Sequence, residues 1–422
     1  MTLHPSDGAH APVSLVDEEL VRDPFTAYAR VRESGTLVRG LIPGADPVWL
    51  VTRYDDVRLV LTDPRFVSDV TAVPGQAVPD VVEQIRAATG IAPEYLDHLR
   101  RGLGDVDGAD HTRLRRLVSR AFTARRVAEL RPRVEEIAER LLDRLPEAAE
   151  NGVVDLLRHF AYPLPIAVIC ELVGIPEQDR GRWREWSAAL AAGLGPGMEP
   201  ALRGLADHTR ELIGRRRAEP ADDLITELVR VHDEDGDRLD ETELVTMVIS
   251  LVLAGHETTA HLIANGTAAL LTHPGQLAAL RRNPELTPRA VHELMRWCGP
   301  VLATRMRYPT EDVRIADTLV RRGEPVLPVL AGGNRDPRAY QDPDRLDITR
   351  DPGGRRETHL GFGQGRHYCL GAALARQEAE VAFTALLRRF PGLRLAVTAD
   401  DLRHGPNPGA WHLASVPVRL QG

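Results

Sequence analysis

The chain has 422 residues, 43% of them hydrophobic and 27% charged, with a formal net charge of -8 at pH 7. Those values suit a globular protein with a large core, and the acidic balance argues against a general nucleic-acid binder. All 53 basic residues are arginine, so every cation stays charged and can fork onto a carboxylate.

Cys170, Cys298 and Cys369 are too few and too scattered for a disulfide framework, which fits a reducing, intracellular setting. The N-terminal MTLHPSDGAHAPVSLVDEEL lacks the basic and then apolar runs of a signal peptide. The apolar stretch 247–255 carries Ser250 and stops at His256, short of the ~20 residues that span a bilayer. A soluble, cytoplasmic monomer is expected, with no membrane anchor and no nucleic-acid partner.

In chain order, residues 48–52 read as a strand and 54–61 as a short helix. Residues 67–104 are loop-like, with one short helical piece and several Gly and Pro. Helical periodicity covers 112–122, 127–145 and 200–217, with a Gly- and Pro-rich loop at 193–200. The segment 241–272 is the longest helix. Asp240 can cap it, Glu243 three residues on completes a capping box, and Pro274 marks its exit. Apolar on most faces, it should run through the core, yet Ala254-Gly255-His256-Glu257-Thr258-Thr259 interrupts it with small and polar residues. Such local violations tend to mark functional sites. A helix at 288–297, strands at 313–315 and 326–330, a helix at 372–390 and a strand at 416–420 complete the reading. The fold class is mainly α with a small β part, in a single domain over 1–422.

The string Phe362-Gly363-Gln364-Gly365-Arg366-His367-Tyr368-Cys369-Leu370-Gly371 carries the most chemistry. Its glycines permit backbone that side chains forbid and let a flat ligand approach closely. Cys369 precedes a helix expected to start near 370, whose positive end favours a thiolate. The plain alternative is an inert buried cysteine in a turn. The seven fixed positions of Phe-Gly-x-Gly-x-His-x-Cys-x-Gly resemble the haem-binding loop of the cytochrome P450 family. The resemblance implies a triangular-prism fold with a long central helix across the haem. It also implies haem b as cofactor, Cys369 as the axial ligand to iron, and His367 reaching a haem propionate.

Other motifs recur in the family's order. Glu293 and Arg296 form Glu-x-x-Arg on one helix face, followed by Pro343-Asp344-Arg345-Leu346. This is similar to the family's buried Glu-Arg-Arg brace, although Leu346 stands where an aromatic is usual. His111 and Arg115 share a helix face. By resemblance they bind haem propionates, as does Arg307; the alternative for the Arg-rich helix is a solvated face. Gly108-Ala109 replaces the prolines often found before the histidine. The segment 254–259 matches Ala-Gly-x-Asp/Glu-Thr-Thr. Gly255 would leave room, Thr258 would hold a proton-donating water, and Glu257 would relay protons from solvent.

The resemblance therefore implies a monooxygenase acting with dioxygen on an apolar small molecule such as a secondary metabolite. A non-hydroxylating oxidative or peroxide-driven haem-thiolate chemistry is the alternative. A haem sensor and a cysteine hydrolase are more distant rivals, lacking an output segment and a His-Asn pair respectively. Val301, Leu302, Thr304, Trp411 and His412 are candidate pocket residues. Electrons would come from a ferredoxin and an NAD(P)H-dependent ferredoxin reductase, with docking expected near Arg113, Arg116, Arg366 and Arg376.

Overall fold

The structure, a computed structural model, describes residues 11–43, 46–75, 91–99, 101–191, 195–234, 239–351, 357–405, 407 and 409–421. Helices dominate it: α1 (Glu18–Arg22), α2 (Pro24–Ser34), α3 (Tyr54–Thr62), α4 (Gly108–Ala121), α5 (Ala124–Glu129), α6 (Arg131–Arg144) and α7 (Pro163–Val173) come first. They are followed by α8 (Arg180–Ala191), α9 (Met198–Ala218), α10 (Leu224–Glu234), α11 (Glu241–Thr272), α12 (Pro274–Arg282), α13 (Thr287–Cys298) and α14 (Ala372–Arg389).

The sheets are small. β1 (Val13–Ser14) lies parallel to β2 (Leu37–Leu41), which pairs antiparallel with β3 (Val48–Val51). β3 in turn runs parallel to a distant strand, Val326–Pro328. Val154–Asp155, Arg394–Leu395 and Pro417–Arg419 make a second sheet. Phe66–Val67 with Tyr308–Pro309, and Val313–Ile315 with Thr318–Val320, form two-stranded ribbons.

Several boundaries differ from expectation for identifiable reasons. The helix expected over 127–145 breaks at Leu130. Pro132 lacks an N–H and clashes with the carbonyl four residues back, so it is tolerated only in the first turn of α6. The strand expected to reach 330 stops at Pro328, and Leu330–Asn334 turns into a helical loop. There a Cβ on Gly332 would lie 2.9 Å from the Thr52 carbonyl oxygen, so the loop seats on β3 only as glycine. α7 shows no amphipathic stripe because nearly all of it is buried, and periodicity is silent where every face is apolar. Of the loop-like region 67–104, residues 76–90 and 100 lie outside the described residues. Pro93–Leu96 is its helical piece. In the loop expected at 193–200, residues 193 and 194 are likewise outside, and α9 already begins at Met198.

α11 forms as read. Asp240 caps it with the full capping box: Asp240 Oδ1 accepts from the Glu243 amide at 2.7 Å, and Glu243 Oε2 accepts from the Asp240 amide at 2.9 Å. By length and composition this helix could cross a membrane. In this fold it is instead covered by α7, α9, α13 and α14.

One buried ion pair ties these helices to the segment before the cysteine loop. Arg296 donates twice to Glu293, at 2.7 Å each, and both side chains are 2% exposed. Arg296 also donates to the carbonyls of Asn334, Pro343 and Arg345, and Glu293 accepts from the Asp347 amide. The sequence pattern pointed to Arg345 as the third member. Its side chain is 65% exposed and faces Asp347, so Arg345 lends only its carbonyl. Arg350 takes the place, with Nε 3.2 Å from Glu293 Oε2.

Removing one partner of such a pair leaves a buried charge and costs about 3–5 kcal/mol. Glu293→Ala is therefore expected to lower the urea midpoint severely and Arg350→Ala measurably. Arg345→Ala should stay within about 0.5 kcal/mol of wild type. Equal losses for Arg345→Ala and Arg350→Ala would refute the reassignment.

Candidate functional site

The cysteine loop is built on two left-handed glycines, Gly363 (φ 70°) and Gly365 (φ 72°). At Gly365 a Cβ would also lie 2.4 Å from the Leu61 carbonyl oxygen, so the loop packs on the end of α3 only because that side chain is absent. The Cys369 amide donates to the Phe362 carbonyl at 2.9 Å, closing the loop, and α14 begins three residues on at Ala372.

The sequence suggested a lowered thiol pKa at this helix start. The structure corrects that: burial raises the Cys369 thiol, and it outweighs the Gly371 amide and the Arg115 and Arg376 guanidiniums, which pull the other way. A thiolate here requires a metal ion, which deprotonates a coordinating thiol outright.

The middle of α11 is hollow on one side. Val252, His256, Thr259 and Ala260 are buried, whereas Ala254 and Thr258 are exposed in the heart of the molecule. Exposure in the centre of a core helix means that its wall faces a chamber. Thr258 Oγ1 donates to the Ala254 carbonyl at 3.0 Å, the local back-bond its residue type favours. Gly255 does not serve to widen the chamber, because a Cβ there would lie 3.0 Å from Ile169 Cγ1 of α7. Its smallness lets α7 approach. Glu257 is held by Tyr162, whose hydroxyl donates to its Oε1 at 2.9 Å. Burial, then the Glu257 charge, raise the Tyr162 phenol well above its ordinary value, so it stays a donor.

A set of basic groups gathers near the cysteine loop. His111 is buried, and its ring centroid lies 4.3 Å from that of His367. Burial, then the neighbouring His367 and Arg115, hold His111 down at about 4, so it is neutral at pH 7, and its Nε2 has no hydrogen-bond partner among the described residues. Arg115, half-buried, makes no hydrogen bond or ion pair among them either. Burial lowers its pKa, while Cys369 and Tyr368 partly restore it. Buried Arg307 donates to Ser68 Oγ and, at 3.4 Å, to its neighbour's carbonyl. His367 Nε2 lies 3.0 Å from Asp107 Oδ1 and 3.4 Å from Ser68 Oγ.

Asp107 was missed by sequence reasoning. Burial alone would raise its pKa, but hydrogen bonds from His367 and from the Asp69 and Ser68 amides win and lower it. Its place just before α4 looks like an ordinary helix start, yet its side chain caps nothing there.

Unpartnered guanidinium and imidazole groups at the edge of a chamber imply an anionic ligand, because buried polar groups are almost always satisfied. A porphyrin with two carboxylates and a metal that takes a thiol ligand would fit that donor set. The structure thus brings Cys369, His367, His111, Arg115 and Arg307 into one neighbourhood, with Thr258 and Glu257 on the long helix. Other candidates disperse. Leu302 is core, and Trp411 stacks on His404 and meets Phe25 edge-on. Arg113 is spent on Glu243, 3.0 Å away, and Arg376 on Glu357.

Comparison with known proteins is consistent with this geometry. The cytochrome P450 family profile matches residues 195–394. Cytochrome P450 monooxygenase PikC of Streptomyces venezuelae is 43% identical over 403 residues, covering 95% of this chain and 92% of that protein. The 6-deoxyerythronolide B hydroxylase of Saccharopolyspora erythraea is 41% identical, covering 95% and 96%. The solved structure of the Bacillus subtilis bacillaene polyketide synthase cytochrome P450 PksS superposes with a TM-score of 0.87 at 38% identity, covering 97% and 99%.

Two measurements probe the site's physics. Gly365→Ala should destabilise far more than Gly363→Ala. Both bear a left-handed cost of about 1–2 kcal/mol, but only the first meets backbone within 3 Å; equal melting temperatures would contradict this. Burial also holds His98, His261 and His404 at about 4, against about 6.5 when unfolded. Between those values the unfolded chain binds more protons, so stability should fall as pH drops from about 6.5 to 5. A urea midpoint unchanged across that window would show that these rings titrate normally.

Proposed function

The chain belongs to the cytochrome P450 family, and on that premise we propose that Cys369 is the thiolate its haem requires. The enzyme is a monooxygenase: one atom of dioxygen enters a small molecule and the other leaves as water, at the expense of two electrons and two protons. When bound, the haem supplies the iron at which dioxygen is activated, with the thiolate pushing electron density toward the O–O bond. His111, Arg115, Arg307 and His367 would hold its propionates. For the two histidines this means donating ring N–H groups, with Asp107 fixing the orientation of His367.

The observation that carries this reading is the chamber itself, exposed Ala254 and Thr258 inside a buried helix, together with His111 Nε2 and Arg115 beside the cysteine loop, which find no hydrogen-bond partner among the described residues. Thr258 would exchange its bond to the Ala254 carbonyl for a water that donates protons. Glu257, held by Tyr162 rather than free at a surface bend, would pass protons to that water. General acid–base groups of this kind are worth about 10²–10⁴-fold in rate.

The whole chain acts as one haem domain. The substrate is an apolar secondary metabolite of the polyketide or macrolide kind; the supporting fact is that the polyketide biosynthesis cytochrome P450 PksS of Bacillus subtilis matches over nearly its full length. Electrons arrive from a ferredoxin and its NAD(P)H-dependent reductase. The docking face is the cysteine-side set Arg113, Arg116, Arg366 and Arg376, of which Arg113 and Arg376 are also held by internal carboxylates. The working form is a cytoplasmic monomer.

Cys369→Ser is expected to abolish the carbon-monoxide difference band of a thiolate-ligated haem while leaving the chain folded; an intact band would overturn the assignment. Thr258→Ala should still take up haem and substrate but divert NAD(P)H-derived electrons into hydrogen peroxide. Product formation as tightly coupled to NAD(P)H use as in wild type would remove Thr258 from the proton path.

A further inference from the structure

The chamber has a second charged feature that the haem-binding residues do not explain. Ser250, Ala254 and Thr258 recur at intervals of four and share one face of α11. Gly102 abuts that face, since a Cβ there would lie 3.2 Å from Ser250 Oγ and 2.6 Å from Asp105 Oδ2. Asp105 is ion-paired with Arg305, and Gly104 lies against the same guanidinium, its Cβ position 3.4 Å from Arg305 Nε.

Arg305 stands at a bend two residues before Arg307. There the Arg307 amide donates to the Val326 carbonyl at 2.7 Å, and the Arg307 carbonyl accepts from the Val326 amide at 2.8 Å. Asp105 and Arg305 each precede Asp107 and Arg307 by two residues, so the 105–305 pair neighbours the Asp107–Arg307 group along both chain segments.

The two partners are not equally placed. The Asp105 side chain is 16% accessible, whereas that of Arg305 is 64% accessible. The carboxylate that holds it lies against Gly102, and Gly102 lies against Ser250 on the chamber face of α11, so the accessible guanidinium sits at the chamber's mouth. What the chamber meets there is a guanidinium, already neutralised from behind by Asp105. Its planar fork carries five donors, enough to accept a second carboxylate alongside the first.

We propose that Arg305, braced by Asp105, anchors a carboxylate on the substrate. The preferred ligands are then apolar molecules with one acidic end rather than neutral or basic ones. This rests on reading the Thr258 hollow as the substrate chamber. A salt bridge that merely latches the 101–107 loop to the 304–309 segment would show no preference for anions.

The test uses the haem-loaded enzyme and reads the ligand-induced spin-state shift with dodecanoate, dodecan-1-ol and dodecylamine. The carbon-monoxide band is recorded first, and its absence would strike at the haem-thiolate reading, not at Arg305. Wild type should bind dodecanoate about tenfold or more tightly than the alcohol, and the amine weakest. Arg305→Leu and the gentler Arg305→Gln should bring the acid to parity with the alcohol while leaving the alcohol's Kd within about threefold. Asp105→Asn, which removes the competing carboxylate, should tighten dodecanoate. A wild type that favours the alcohol or amine, or an acid preference that survives both Arg305 variants, overturns the proposal. So does loss of haem from Arg305→Gln, which would assign the guanidinium to a propionate.

Discussion

The buried pair of Glu293 and Arg296 is the constraint on which the site rests. Its two charges have left water, and each remaining donor or acceptor has found a partner: the Asp347 amide, the Arg350 guanidinium and three carbonyls from 334 to 345. Such a pair is weak evidence for net stability but strong for geometry, because any slippage exposes a buried charge. It fixes α13 against the chain leading to Leu360, whose amide donates to Asn334 Oδ1 at 2.7 Å. Two residues later the loop carrying Cys369 begins, so its position is inherited from this hub.

The chamber's electrostatics look unfavourable when its own groups alone are counted. Burial pushes the Cys369 thiol up and the Arg115 guanidinium down, and His111 Nε2 finds no partner among the described residues. Each is a charge or dipole held away from water without its complement. A dianionic porphyrin with a cationic metal centre answers all of these at once: metal for thiol, carboxylates for the basic groups. The protein therefore spends folding stability to pre-form a site whose energy is returned on loading.

Glycine positions show how shape was obtained. Gly365, Gly255 and Gly332 each allow a close approach, to α3, α7 and β3 respectively. Only at Gly365 does a left-handed backbone add a second requirement. From the sequence, Gly255 read as room above a ligand; the packing assigns it to a helix contact, and Ala254 and Thr258 make the chamber wall instead.

What the sequence determined by itself was local. The Asp240–Glu243 capping box, the length of α11, the glycine spacing around Cys369 and the i, i+4 relation of His111 and Arg115 all follow from neighbours within a few residues, where propensity and periodicity act. Tertiary structure decided which distant groups meet. Arg350 rather than Arg345 completes the Glu293 cluster, Asp107 rather than a propionate alone receives His367, and Tyr162 reaches Glu257 across 95 residues. It also decided that Arg113 and Arg376 are internally neutralised. Side-chain partners are set by the packing of α4, α7, α11 and the cysteine loop in three dimensions, and a one-dimensional pattern carries no record of which of many arginines will find itself beside a given carboxylate.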